Sequence, residues 1–229
     1  MTFLDTATHL QDKDGKQRSL LFLGSSCLEL NWSDGIAFWG AIRQYNKGVT
    51  WNELQQWGFD KDIDAAADLT DVVGSPCTML FKGDQCVVLK WDEGIDYHGK
   101  ITGYKKHWAD LPKGFDRDLD AVMQIEDQGG PCTMLFKKDQ CVVLSWNHGI
   151  QFHDKITAYE GPWRDLPKPF SKSLDAVVRM ANDEDGNQQS LLIKDSQCLV
   201  LNWENGFSYD GEVTGYSQAW ANAYNRLTG

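Results

Sequence analysis

The stretch from Pro76 to Trp91 reads PCTMLFKGDQCVVLKW, and 55 residues later Pro131 to Trp146 reads PCTMLFKKDQCVVLSW. A near-copy at a fixed interval marks a repeated supersecondary unit that cannot bury its own faces alone. Two looser copies complete the set. CLELNWSDGIAFWGAI, CVVLKWDEGIDYHGKI, CVVLSWNHGIQFHDKI and CLVLNWENGFSYDGEV carry Trp32, Trp91, Trp146 and Trp203, at spacings of 59, 55 and 57. Each unit opens on an aspartate in an apolar frame (Asp5, Asp64, Asp120, Asp175). Each closes on a tyrosine (Tyr45, Tyr104, Tyr159, Tyr216) and then a tryptophan (Trp51, Trp108, Trp163, Trp220). The four units fill the chain as one domain, at about 3–57, 58–114, 115–170 and 171–229.

Each unit reads as four strands. A short apolar segment follows the aspartate. TMLFK or its equivalent comes next, then a tight polar turn (GSS, GDQ, KDQ, DSQ) and a strand rich in Val and Leu. A second turn ends in Gly35, Gly94, Gly149 or Gly206, as a three-residue hairpin loop requires where its last residue has positive φ. The fourth strand is IDYHGKI or its equivalent, and WADLPKGF is expected to form a short helical turn closed by proline. Four strands in each of four units predict an all-β fold, a four-bladed β-propeller of antiparallel sheets with short helical turns between blades. A β-trefoil has the wrong count, and a stacked solenoid would need atypical terminal units, whereas here the end units keep the full pattern.

The units resemble hemopexin-type repeats. Asp64-Ala65-Ala66, Phe81-Lys82-Gly83-Asp84, Tyr97-His98, Ile101-Thr102, Trp108 and Leu111-Pro112 follow that family's order, most clearly in units two and three. The resemblance implies a closed ring of hemopexin type, like that of plant seed albumins and fungal lectins. It also implies a calcium or sodium ion in the central channel, held largely by main-chain carbonyls; no organic cofactor is expected. The family often closes its ring with a disulfide between the first and last units. Here no cysteine lies near Asp5 or beyond Cys198, so closure must rest on packing and strand contacts.

Composition narrows the function. The formal charge is -11, with 33 acidic residues against 22 basic ones and no basic run, which excludes nucleic acid and anionic membrane as partners. No apolar run approaches the ~20 residues of a membrane span, so no membrane insertion is expected. MTFLDTATHLQDKDGKQ lacks the basic and apolar regions of a secretory signal, and a cytoplasmic or unconventionally secreted protein is expected. Hydrophobic residues make up 41% of the chain, enough for a sizeable core. Cys27, Cys86, Cys141 and Cys198 share one repeat position, too far apart in a ring for disulfides. With Cys77 and Cys132 they are expected as free, buried thiols. No GxSxG, HExxH or Walker pattern occurs, and an enzyme is not expected.

Two groups of residues are candidate sites. Asp5, Asp64, Asp120 and Asp175 should ring one mouth of the channel, either tying each strand to its neighbour or serving a cation, for which oxygen ligands are suited. The hairpin and rim positions Asp34, Trp39, Asp92, Glu93, His98, Asn147, His148, His153, Asn205 and Asp210 set polar groups beside aromatic ones, as sugar binding requires. The repeated Trp32, Trp91, Trp146 and Trp203 are expected to pack between blades, whereas packing does not account for Trp39. The leading reading is a non-enzymatic carbohydrate-binding lectin, an agglutinin with glycans or glycoproteins as partners and fewer than four working sites. The alternative is a storage or stress albumin that binds a small ligand, a polyamine, haem or a metal ion, at the channel. Exposed outer strands leave a homodimer open.

Overall fold

The structure, a computed structural model, describes residues 4–10, 16–48, 50–70, 76–91, 93–127 and 130–228. It contains four four-stranded antiparallel sheets, each a simple meander. Blade one is β1 (Thr6–Leu10), β2 (Arg18–Leu23), β3 (Ser26–Asn31) and β4 (Gly35–Ala41). Blade two is β5 (Ala65–Thr70), β6 (Pro76–Lys82), β7 (Gln85–Lys90) and β8 (Gly94–Lys100). Blade three is β9 (Ala121–Asp127), β10 (Gly130–Lys137), β11 (Gln140–Ser145) and β12 (Gly149–Lys155). Blade four is β13 (Ala176–Met180), β14 (Gln189–Lys194), β15 (Gln197–Asn202) and β16 (Gly206–Glu212). The chain folds as a four-bladed propeller of hemopexin type.

The repeated turn chemistry sets the register. Gly83 and Asp84 link β6 to β7 and place Phe81 opposite Cys86. Gly24, Gly83, Lys138 and Asp195 occupy one turn position, with φ of 56, 57, 55 and 53°. At the next hairpin Gly35, Gly94, Gly149 and Gly206 have φ of 91, 108, 81 and 90°, the conformation expected from sequence. Every blade carries a bulge between its third and fourth strands, as at Val143/Leu144. Bulges increase the local twist and bend a strand.

The core lies between the blades. The second and third strands are buried on both faces, which is why LLFL and CVVL read as continuous apolar runs rather than alternating ones. The six cysteines are free and buried. Burial pushes the Cys27, Cys86 and Cys141 thiols up to about 12, so they behave as small apolar side chains. Each repeat tryptophan fills a seam, as expected. The indole N–H groups of Trp32, Trp91, Trp146 and Trp203 donate to the hydroxyls of Ser19, Thr78, Thr133 and Ser190 at 2.9–3.0 Å. Each ring meets, edge to face, the tyrosine of the preceding blade. Trp91 meets Tyr45 at 5.9 Å, Trp146 meets Tyr104 at 6.3 Å and Trp203 meets Tyr159 at 6.1 Å.

The fourth seam closes the ring with the same contact: Trp32 of blade one meets Tyr216 of blade four at 5.8 Å. β1 packs against both β5 and β13, and β9 also packs against both. Here the structure replaces an expected short turn with a longer element. After a single turn, α1 (Val213–Tyr216), comes an eleven-residue helix, α2 (Gln218–Thr228). The Ser217 hydroxyl caps α2 by accepting from the Trp220 N–H at 3.3 Å. Ala219, Trp220, Ala223 and Leu227 form one buried stripe at helical spacing, and α2 packs on β3 and β4 of blade one. Among the described residues no helix is long and apolar enough to cross a membrane.

Candidate functional site

Each innermost strand begins one residue after its aspartate, so Asp5, Asp64, Asp120 and Asp175 stand together at one mouth of the channel. Their backbone N–H groups join the ladder, donating to Phe22, Phe81, Phe136 and Ile193 carbonyls at 2.8–3.0 Å. Their carboxylates do something else. Oδ2 of each accepts a backbone N–H from the turn between its own blade's second and third strands: Gly24 at 2.6 Å, Gly83 at 2.6 Å, Lys138 at 2.7 Å and Asp195 at 2.6 Å. A charged acceptor of this kind holds the left-handed turn in place. The tying role considered from sequence is therefore realised in all four blades.

A second ring lies two residues upstream, where the sequence reading placed nothing. Asp62 and Asp118, and Ser173 in blade four, adopt left-handed φ of 50, 46 and 46°. Their N–H groups donate to the turn carbonyls of the preceding blade, Gly24 (2.8 Å), Gly83 (2.8 Å) and Lys138 (2.6 Å). Left-handed backbone suits Asp more than most residues. The result is a cavity of about 440 Å³ lined by Asp5, Asp62, Asp64, Asp118, Asp120 and Asp175, with Lys194 as the one basic residue lining it among the described residues. Lys194 pairs with Asp175 Oδ1 at 2.9 Å, and the Lys82 and Lys137 ammonium groups offset part of the charge on Asp64 and Asp120.

The electrostatics follow first from burial and only then from this crowding. Burial raises the Asp5 carboxyl above 3.8; the Gly24 N–H opposes the shift, and Asp62 and Asp64 add to it. Burial likewise raises Asp64, against the Gly83 N–H and the Lys82 ammonium, with Asp118 and Asp62 adding. Asp120 is raised by burial and by Asp175, against the Lys138 N–H and the Lys137 and Lys194 ammonium groups. These carboxylates hold protons more tightly than free ones, and a nearby cation would relieve them. Among the described residues no three His, Cys, Asp or Glu side chains converge to hold a metal ion.

The sugar candidates are spread over separate blades. In each meander the β3–β4 type of hairpin lies on the face away from the aspartates. Asp34, Glu93, Asn147, His148 and Asn205 are exposed at those tips. Asp34 is engaged by Lys16 (2.8 Å) and Asn31 (3.0 Å), and Glu93 by Lys90 (3.2 Å). The His148 N–H donates to Ser145 Oγ and that of Asn205 to Asn202 Oδ1. Asp92 lies outside the described residues. Trp39, His98, His153 and Asp210 sit on the outer strands, opposite Leu28, Val87, Val142 and Leu199. Trp39, which packing did not explain from sequence, is packed after all: it joins the cluster of α2, with the Arg226 guanidinium 5.8 Å from its ring. His98 stacks on Trp57 at 4.2 Å, with Phe59 edge-on, and His153 meets the edge of Phe115 at 5.6 Å. Asp210 is exposed.

The inner strands hold a further polar set that the sequence reading passed over. His9, Asp68, Gln124 and Arg179 each lie four residues beyond the opening aspartate, one per blade. Burial raises the Asp68 carboxyl, and His9 and Arg179 offset part of that rise. The Gln124 Oε1 accepts from Thr133 Oγ1 at 3.0 Å. The repeat frame was enough to find them, since they share one position, but four different residue types hid the pattern.

No family model matches the chain, and no curated protein does. Solved structures with this architecture do match. The chain is similar to a hemopexin fold protein, CP4, from cow pea (TM-score 0.72, 12% identity, all of both chains). It is similar to LS24, a seed albumin from Lathyrus sativus (TM-score 0.71, 14% identity, 98% of this chain and 97% of that one). A plant lectin with two metal binding sites from Cicer arietinum superposes with a TM-score of 0.70 at 17% identity, over 99% of each chain. At such identities the likeness is one of fold.

Proposed function

We propose that the protein is a non-enzymatic binding protein that takes a small organic polycation, of the polyamine class, in the acidic mouth of its channel. The observation that carries this reading is the cavity where six aspartates face one lysine. Several spaced carboxylates suit an extended ligand with several separated ammonium groups better than a point ion, because they do not converge. A calcium or sodium ion belongs to the reading only as a main-chain-bound ion on the axis. The net charge of -11 would steer cations toward the protein.

Spermine should raise the melting temperature at low salt. At one hundred times its Kd a ligand adds about 2.7 kcal/mol, or about 5–10 °C for a domain of this size. Calcium at the same concentration should do much less. Asp62→Asn with Asp118→Asn should abolish the spermine effect while keeping the fold, since Asn also accepts left-handed backbone. A spermine shift that survives this double substitution, or none in the unaltered protein, would refute the reading.

Glycan binding is the second reading. Lectin naming among the fold's solved structures motivates it, and one observation favours it here, an aromatic cavity on blade three.

A further inference from the structure

Blade three departs from its sisters at one place on the outer rim. In blades two and four the fourth strand carries Tyr97 or Tyr209, with glycine two and six residues later. The tyrosine lies flat across those glycines. A Cβ at Gly99 or Gly103 would come within 2.8 or 2.7 Å of the Tyr97 hydroxyl, and one at Gly211 or Gly215 within 3.0 or 2.8 Å of that of Tyr209. The hydroxyls anchor the rings by donating to the Lys100 carbonyl (2.9 Å) and the Glu212 carbonyl (2.7 Å). Blade one lays Phe38 on Gly40 in the same way, 3.0 Å from a Cβ there. Blade three has Phe152, Asp154 and Ala158 at these positions. Two Cβ atoms occupy the ground the ring would cover, and phenylalanine has no hydroxyl to anchor it.

A cavity of about 350 Å³ opens there, within the size range of small-molecule sites. Phe152 and Tyr159 meet edge to face at 5.1 Å and 75°, an aromatic corner whose counterparts pair at 5.2–5.3 Å in the sister blades; blade three differs in lacking the glycines beside it. Gln151, Glu160 and Arg164 line the same cavity. Adjacent strand residues ordinarily point to opposite faces, yet Gln151 and Phe152 share this pocket. The bulge explains it: Phe152 pairs with Val143 and Ile150 with Leu144, leaving Gln151 unpaired and re-aimed. The Gln151 amide is steadied by donating to the Gly149 carbonyl at 3.1 Å.

We propose that this cavity is a carbohydrate site for one neutral pyranose ring, stacked by its CH face in the Phe152–Tyr159 corner and hydrogen-bonded through its hydroxyls to Gln151, Glu160 and Arg164. A carboxylate and a guanidinium lining one cavity disfavour a ligand of either single charge and suit neighbouring hydroxyls, which both donate and accept. Glu160 and Arg164 have no counterpart in the sister blades, where Asn46, Lys105 or Ser217 and Asn52, Ala109 or Ala221 stand instead. The chain therefore carries one such site, not four. This inference rests on the glycan-binding reading and is independent of the acidic mouth.

The test closes the cavity by giving blade three its sisters' sequence: Phe152→Tyr, Asp154→Gly and Ala158→Gly together. Two blades already fold with these residues, so the variant should keep the far-UV spectrum and a cooperative melt. Saturation-transfer NMR against galactose, glucose, mannose and N-acetylglucosamine, followed by a glycan array, reads binding. The unaltered protein should bind at least one of them, and the closed variant should lose at least tenfold in affinity. Equal binding by the two proteins would overturn this pocket while leaving glycan binding standing elsewhere. No binding by the unaltered protein would overturn both. A second variant, Arg164→Met, leaves the aromatic corner intact and should weaken binding without altering the melt; unchanged affinity would remove Arg164 from the site.

Discussion

The inner turns offer a stability experiment in which sister blades are the controls. Lys138 and Asp195 occupy left-handed backbone (φ 55 and 53°) where blades one and two use Gly24 and Gly83 (φ 56 and 57°). An L-residue with a Cβ loses about 1–2 kcal/mol in this conformation. Glycine avoids that cost but gives back about 0.4–1 kcal/mol through the freedom of its unfolded chain. Lys138→Gly should therefore stabilise the protein by about 0.5–1 kcal/mol, or about 1–4 °C. The side chain contributes little to offset this, because the turn's ties run through the backbone. The Lys138 N–H donates to Asp120 and its carbonyl accepts from Ser173. Asp195→Gly should gain less, since Asp tolerates this region better than Lys does. The two effects should add, being in different blades. Gly83→Ala should move the urea midpoint the other way by a similar amount. A Lys138→Gly protein less stable than the parent, or a Gly83→Ala protein more stable, would refute the account of these turns.

Two further outcomes follow from packing and charge. Trp220→Ala, which empties a fully buried site against Trp32 at 5.4 Å, should cost about 3–5 kcal/mol, whereas Trp57→Ala, at a ring 43% exposed, should cost far less; equal urea midpoints for the two would sink the closing role of α2. Carbon-detected NMR should place the Asp5, Asp64 and Asp120 titrations above 3.8. Their stabilising contribution is then full below 3.8 and is lost as pH rises through the native values, since the folded state binds more protons in that window. Asp62→Asn with Asp118→Asn should bring Asp5 and Asp64 back toward 3.8, and titrations already at 3.8 in the parent would contradict the crowding.

Much of the fold was legible because a blade must say its turns and its seam residues in order. Asp64, Trp91, Gly94 and Trp108 recur in the same order in every unit, and each has a local physical task. The closing helix was not legible in the same way. GYSQAWANAYNRL keeps the repeat's Tyr216 and Trp220, so it reads as one more short turn, while Trp220 on the helix is fixed by a partner 188 residues away in sequence, Trp32. Trp39 was misjudged for that reason, since its packing partner Arg226 lies on α2. At the mouth the four opening aspartates are visible in the repeat frame, but Asp62 and Asp118 are not singled out by it, and only the left-handed turns put them beside Asp64. The blade-three cavity had a sequence signal of an unusual kind. It lies in Asp154 and Ala158 standing where blades two and four have glycine, not in any reactive or aromatic side chain.

The seam between Trp32 and Tyr216 has one property the other three lack: no peptide bond crosses it. A pull applied at residues 4 and 228 would load that junction alone, peeling α2 from blade one before any sheet is sheared. In a tether experiment the ring should yield first as a clasp, at low force, and the four blades should rupture only afterwards.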